Sequence, residues 1–354
     1  MTKSAKILSI LIAAGFFFIQ PALHALDRVE VSKKITEKYD MHPQDMLDVS
    51  NKYGTIHIHT WEKSEVMVEV TVRAWSNNER RAKEALDRIQ IKYGKTGSVV
   101  QFETQINSSA NVSINVNSGF EINYLVYMPI SNSLKLSNRY GGVFIDNFNG
   151  SLDAFVRYGN LKTNKMTGGD KKIDIAYGNA DIEQLENGIF EIAYGNGIIR
   201  EASKLTVRNR YSKMEYENVK ELHTETKYGG ILIENEVETI TGNIAYSDFR
   251  AHRLKKQAQI EARYAGNFSI DEVSKGFEQI ILDGTYSSFT VYFGSKHHFE
   301  FSLSASYGSI RIDVGEAEIR REVSQSHTQI LEGQVGKAGG KVRITTKYGS
   351  IRLK

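Results

Sequence analysis

His57 and His59 alternate with Ile56 and Ile58, so on a strand both imidazoles share one face, and such a pair can begin a metal site. Spacing supplies no third ligand, and two histidines facing solvent is the plainer reading. His297 and His298 are adjacent and point to opposite faces if extended. Acids recur at Asp146, Glu234, Asp271 and Asp313. Glycoside hydrolysis needs two carboxyls converging in a cleft, about 5–9.5 Å apart. Here one acid falls at the same place in successive copies of a repeat, which is surface patterning. No phosphate loop, nucleophile elbow or zinc-protease helix occurs. No catalytic residue, metal ligand or cofactor is assigned, and the chain is read as a non-enzyme.

A second set of residues could bind rather than react. Lys52, Arg139, Arg157, Arg210, Lys227, Arg263 and Lys347 each stand directly before a tyrosine, and by strand parity they face outward. Stacked copies would align the last six with Lys52 as a broken basic row. Such a ridge could hold an acidic polysaccharide, lipopolysaccharide or another envelope polymer. A solvated edge, with cationic stems lying over tyrosine rings, is the plainer reading.

The tyrosines set the frame for these rows. Tyr140, Tyr158, Tyr177, Tyr194, Tyr211, Tyr228, Tyr246, Tyr264, Tyr286 and Tyr307 follow one another at 17 to 22 residues. Leu134 and Leu136 precede the first with period two, and Val143 and Ile145 follow it on a shifted parity. Strand, corner, strand is the unit, and a fixed period of this length predicts a solenoid. The expected fold is all-β, a single-stranded parallel β-helix or β-solenoid with right-handed coils. Parity carried through the corner places the tyrosines inside, as a structural ladder along one inner edge. Facing out, they would instead offer a sugar-binding aromatic platform.

Residues 1–25 read as a secretory signal: Lys3 and Lys6, an apolar run from Ile7 to Ile19, and Ala25 as a cleavage position. The run is too short to span a bilayer, so export without a remaining transmembrane span is expected, to periplasm or cell surface. The chain has a net charge of +3 and no cysteine. Removing Lys3 and Lys6 leaves about +1, which gives no reason to expect nucleic acid. Residues 26–130 are expected to form an N-terminal αβ cap. Residues 47–58 already spell one copy of the repeat, and 66–72, 112–116 and 120–126 alternate as strands. A hairpin turns at 94–97, and one helix over 77–88 is laid across the first coil. Residues 131–354 are the repeats, with an excursion near 316–340 before a last coil whose bare edge could support end-to-end association.

The run Ile122 to Leu136, with Pro129 inside it, and the closing Gly339 to Leu353 resemble the bacterial β-solenoid domains of unknown function named "putative adhesin". The resemblance covers about residues 47–354. That family's corners are commonly Ser-Gly or Asn-Gly, so tyrosine here is a departure. The resemblance implies an exported or surface-associated protein; the chain is read as a binding or scaffold module of the cell envelope, with envelope polysaccharide or another envelope protein as partner. It brings no catalytic residues. The alternatives are a carbohydrate-active enzyme on the same fold and a self-assembling structural protein.

Overall fold

The structure, a computed structural model, describes residues 28–107, 118–315, 317–337 and 339–354. The signal sequence expected at 1–25 and the strand expected at 112–116 both lie outside the described residues. Ser133–Arg139 pairs in parallel with Leu152–Arg157, which pairs with Lys171–Ala176. The register sets Leu136 beside Ala154 beside Ile173, then Phe190 and Val207. All five are buried. Beyond the tyrosine corner a second face repeats this, with Val143, Leu161 and Ala180 in register. Each Leu, Ile, Val or Phe taken from water contributes on the order of 1.5–3 kcal/mol. Stacking therefore stabilises the rod through neighbours, and no coil could bury its own face alone. Mid-rod strands such as Asn196–Arg210 and Gly230–Ala245 run on through the coil beyond the tyrosine corner, the latter with register shifts between Ile233 and Glu236. This is a solenoid-like, all-β repeat architecture.

The front of the chain is built differently from expectation. The predicted helix is present as Glu79–Asp87, with the Asn78 side chain accepting from the Arg81 amide as N-cap. It packs on Val29–Asp40 and Glu65–Ser76, not across the first coil. The open edges of that coil are met by strands: Met46–Lys52 pairs with Val99–Ile106, and Ile56–Trp61 with Gly119–Pro129. Unpaired N–H and C=O groups need hydrogen-bonding backbone, which a strand presents and a helix does not. The hairpin turning near Gly97 joins Ile89–Thr96 to Val99–Ile106. Val29–Asp40 is a twelve-residue strand antiparallel to Glu65–Ser76.

The far end departs further. The expected excursion is a hairpin, Ala317–Gln325 with Thr328–Val335, laid antiparallel on Phe299–Ser306. The last coil does not sit at the tip. Gly340–Lys347 is inserted between Gln279–Thr285 and Phe299–Ser306, parallel to both. Ile351–Leu353 likewise lies between Phe289–Phe293 and Ile310–Ile312. The bare final edge expected from sequence is thus replaced by the outer strand of the hairpin. That strand exposes Glu318, Arg320, Arg321 and Glu322, charges that oppose edge-to-edge pairing.

Candidate functional site

Twelve tyrosines occupy the corners, Tyr53 and Tyr348 joining the ten of the main run, and each has φ between 52° and 62°. This is the left-handed region, uncommon for a bulky L-residue. The inward placement expected from parity is overturned here. A left-handed residue breaks the pleat alternation, so the residue two before the tyrosine faces the core and the ring swings out. Accordingly Asn138 and Asn209 are fully buried, while Tyr140 is 48% and Tyr211 49% exposed. The Asn138 carboxamide donates to the carbonyls of Gly54, Gly141 and Gly142, tying the corner from inside.

The rings form one continuous stack. Centroids are 4.7–5.1 Å apart and planes within 22° from Tyr53 through Tyr264 and Tyr286 to Tyr348 and Tyr307. Phe120 closes the stack edge-on against Tyr53, and His327 closes it against Tyr307. The glycine after the tyrosine is dictated by close approach: a Cβ on Gly178 would lie 1.8 Å from the Gly159 carbonyl oxygen. Ser212, Ser247, Ala265 and Ser287 replace it in four coils, and each serine hydroxyl accepts an amide from the adjoining corner.

Two energies oppose each other at these corners. A left-handed L-residue costs roughly 1–2 kcal/mol. An offset aromatic contact returns roughly 0.5–1.5 kcal/mol. Stacking therefore about offsets strain, and stability alone gives tyrosine little advantage over glycine or asparagine. Phenylalanine would stack as well, yet a hydroxyl is present at all twelve positions.

The basic row is in place beside the stack but is not uniform. Arg157 lies 3.6 Å over the Phe155 ring and binds Asp174 at 2.7 Å; Arg263 binds Glu261 at 2.5 Å. Lys52, Arg139, Arg210, Lys227 and Lys347 form no ion pair among the described residues. An acidic row two residues earlier, absent from the sequence reading, neutralises Arg157 and Arg263, whereas its Glu191 and Glu225 are taken by Arg208 and leave Arg210 and Lys227 unpaired. Asp174, Glu191, Glu225 and Glu261 stand third before their tyrosines, whereas Ser50 and Ser137 hold that place beside Lys52 and Arg139. A polar row follows on the other flank, where Asn160 and Asn179 each accept the backbone amide of the next coil at 2.9 Å. Its signal in sequence is the repeated Tyr-Gly-Asn.

The histidine pair is engaged. His59 Nδ1 sits 2.9 Å from Asp146, and His57 stacks on Phe144 at 4.4 Å. Burial, then the neighbouring His59, lowers the His57 pKa. No group of three or more metal-ligating side chains converges among the described residues. His297 instead spans two backbone carbonyls, of Gly294 and Val273, while His298 accepts the Lys337 amide. Of the repeating acids, Asp271 binds Arg250 and Asp313 binds Arg311, both at 2.7 Å. The carboxyls with displaced pKa values, Asp45, Glu79, Glu238 and Glu272, are all moved down by hydrogen bonds from cationic side chains.

Fold and surface together define a solenoid-like repeat protein carrying an outward tyrosine edge. No protein-family model and no curated protein matches the chain. Among solved structures it is similar to a "putative adhesin" of Bacteroides fragilis, at 11% identity and TM-score 0.29, over 91% of this chain and 97% of that one. It is also similar to a "putative cell adhesion protein" of Clostridium sporogenes, at 11% identity and TM-score 0.19, over 91% and 99%. A "putative lipid binding protein" of Parabacteroides distasonis matches at 10% identity and TM-score 0.29, over 91% and 96%. Names of this kind recur among the similar structures, but identities and scores this low transfer no ligand.

Proposed function

We propose that the protein is an exported, non-catalytic, adhesin-like binding module of the cell envelope, and that it engages its partner through the tyrosine edge. The observation that carries this reading is a tyrosine at each of twelve left-handed corners, eleven of them exposed and Tyr53 half-buried against the core, where strain and stacking nearly cancel and the hydroxyls make no hydrogen bond among the described residues. Residues held in disfavoured backbone regions at solvent-facing positions point toward function. A rigid row of ring edges and phenols on a solenoid suits a long polymer, since each coil repeats the same contact.

A second reading is supported at one end. Lys52 and Arg139 pair in register and form no ion pair among the described residues, with Glu103 as the neighbouring acid on the Lys52 side, so an acidic polysaccharide would meet two adjacent free cations there. Residues 26–354 would be tested for co-sedimentation with envelope fractions and acidic polysaccharides across a salt series. Salt-insensitive binding lost on Tyr→Gly substitution assigns it to the tyrosine edge. Salt-sensitive binding lost on joint substitution of Arg139, Arg210 and Lys227 by alanine assigns it to the basic row. Absence of binding at low salt refutes both readings.

A further inference from the structure

The basic row beside the tyrosine stack is interrupted by alanine at Ala176, Ala193 and Ala245, and a groove opens at the last of these. In the row before the tyrosines, Ala245 stands in register between Lys227 and Arg263. Its missing side chain opens a groove of about 600 Å³ along the rings of Tyr228, Tyr246 and Tyr264. The rings advance by 4.9 and 4.8 Å. On the far wall Asn243 stands in register between Glu225 and Glu261. We infer that this groove is a binding site for a neutral, linear glycan of equatorially linked pyranoses, two to three sugars long.

Each alternative partner meets a specific obstacle. A peptide strand binds by adding to an open sheet edge. Here Gly230–Ala245 is paired on both sides, and the corner amides of Tyr228 and Tyr246 are spent on the carbonyls of Ala245 and Arg263. A nucleic acid or acidic glycan would face the Glu225 and Glu261 carboxylates, and the nearby Arg263 cation is already neutralised by Glu261. A neutral sugar fits the same chemistry. Carboxylates accept hydroxyl protons, the Asn243 amide both donates and accepts, and Lys227, which makes no ion pair among the described residues, donates. The ring faces are covered by stacking, so the rings offer the sugar their apolar edges and their phenol hydroxyls. Along the groove the period of the rings is that of the strands, and an extended, equatorially linked glycan advances by nearly the same distance per sugar. Successive sugars would then meet equivalent groups.

This inference rests on the tyrosine edge being the binding surface, and its test separates the two. Cello-oligosaccharides would be titrated calorimetrically into the full chain, with malto-oligosaccharides and dextran sulfate as comparisons. Ala245→Arg fills the groove with the side chain found at this place in the next coil, at Arg263, so the fold is retained. The expected result is binding of cello-oligosaccharides alone, at least tenfold weaker in Ala245→Arg and in Tyr246→Gly. Equal binding of malto-oligosaccharides, preference for dextran sulfate, or an unaltered Ala245→Arg variant overturns the assignment. If Tyr177→Gly weakens binding as much as Tyr246→Gly while Ala245→Arg does not, the edge binds and the groove does not. Loss of all binding, envelope fractions included, removes both.

Discussion

Tyr348 lies ring on ring with Tyr286 at 4.7 Å, and its other face meets Tyr307 at 5.0 Å. The chain's last tyrosine is therefore the eleventh in space and not the twelfth. The coil that carries it is an internal layer, so the end of the chain is part of the rod's hydrogen-bonded body.

Removing residues 340–354 should expose two strand edges at once. Gln279–Thr285 and Phe299–Ser306 both lose a parallel partner. Hydrogen exchange should report lost protection in both strands while Ser133–Arg139 stays protected. Protection unchanged at Phe299–Ser306 would mean that the hairpin at 317–335 alone holds that coil.

Lys171 should make stability depend on alkaline pH. Its stem occupies the core position held by Leu152 in the preceding coil, and its ammonium donates to the carbonyls of Thr167, Gly168 and Gly169 at 2.9 Å. Burial lowers its pKa to about 8, against opposition from Glu186 and Asp170. The unfolded chain, with a lysine pKa near 10.4, binds more protons between these values, so stability rises with pH across that window. Below about 8 the cost of the buried charge is fully present. In chemical denaturation, wild type should gain on Lys171→Met from pH 8 to about 10.4. A constant difference would show that the three carbonyls keep the ammonium charged throughout.

Tyr216 is a different tyrosine, fully buried, with a hydroxyl that finds no hydrogen-bond partner and a pKa that burial pushes up. Tyr216→Phe removes an unsatisfied polar group and leaves the ring, so it should stabilise by about 1 kcal/mol. Thermal melting checks this, and a lowered midpoint would reveal a partner for the hydroxyl.

Corner substitutions should divide sharply. Gly178→Ala forces a Cβ against the Gly159 carbonyl and should cost about 3 kcal/mol. Tyr194→Gly relieves left-handed strain and loses two stacked neighbours, so its effect should stay within about 1 kcal/mol. Denaturant midpoints measure both, and a large loss at Tyr194 would make the stack structural and not functional.

Much of the coil was legible because period-two burial and a repeat length are local properties. Leu134, Leu136, Val143 and Ile145 announce two strands and a corner between them, and all four are buried. The direction of the tyrosine was not legible, because parity holds only while the backbone stays extended. One residue at φ near 55° inverts it, and nothing in the residue type tyrosine advertises that region. The acidic row at Asp174, Glu191, Glu225 and Glu261 is present in the chain as written; Glu261 meets Arg263 locally on one strand, but the pairing of Asp174 with Arg157 depends on which coils are neighbours.

By itself the sequence determined that this protein stacks short coils with a tyrosine at each turn, because burial along a strand is read two residues at a time. Only the tertiary structure decided the order of the last coils. Spacings of 22 and 21 residues look the same whether Tyr307 follows Tyr286 directly or leaves a gap for Tyr348. Strand pairing is a long-range choice among nearly equivalent edges. It is settled by which edges remain open once the hairpin covers Phe299–Ser306, and a repeating sequence offers each of those edges the same partner.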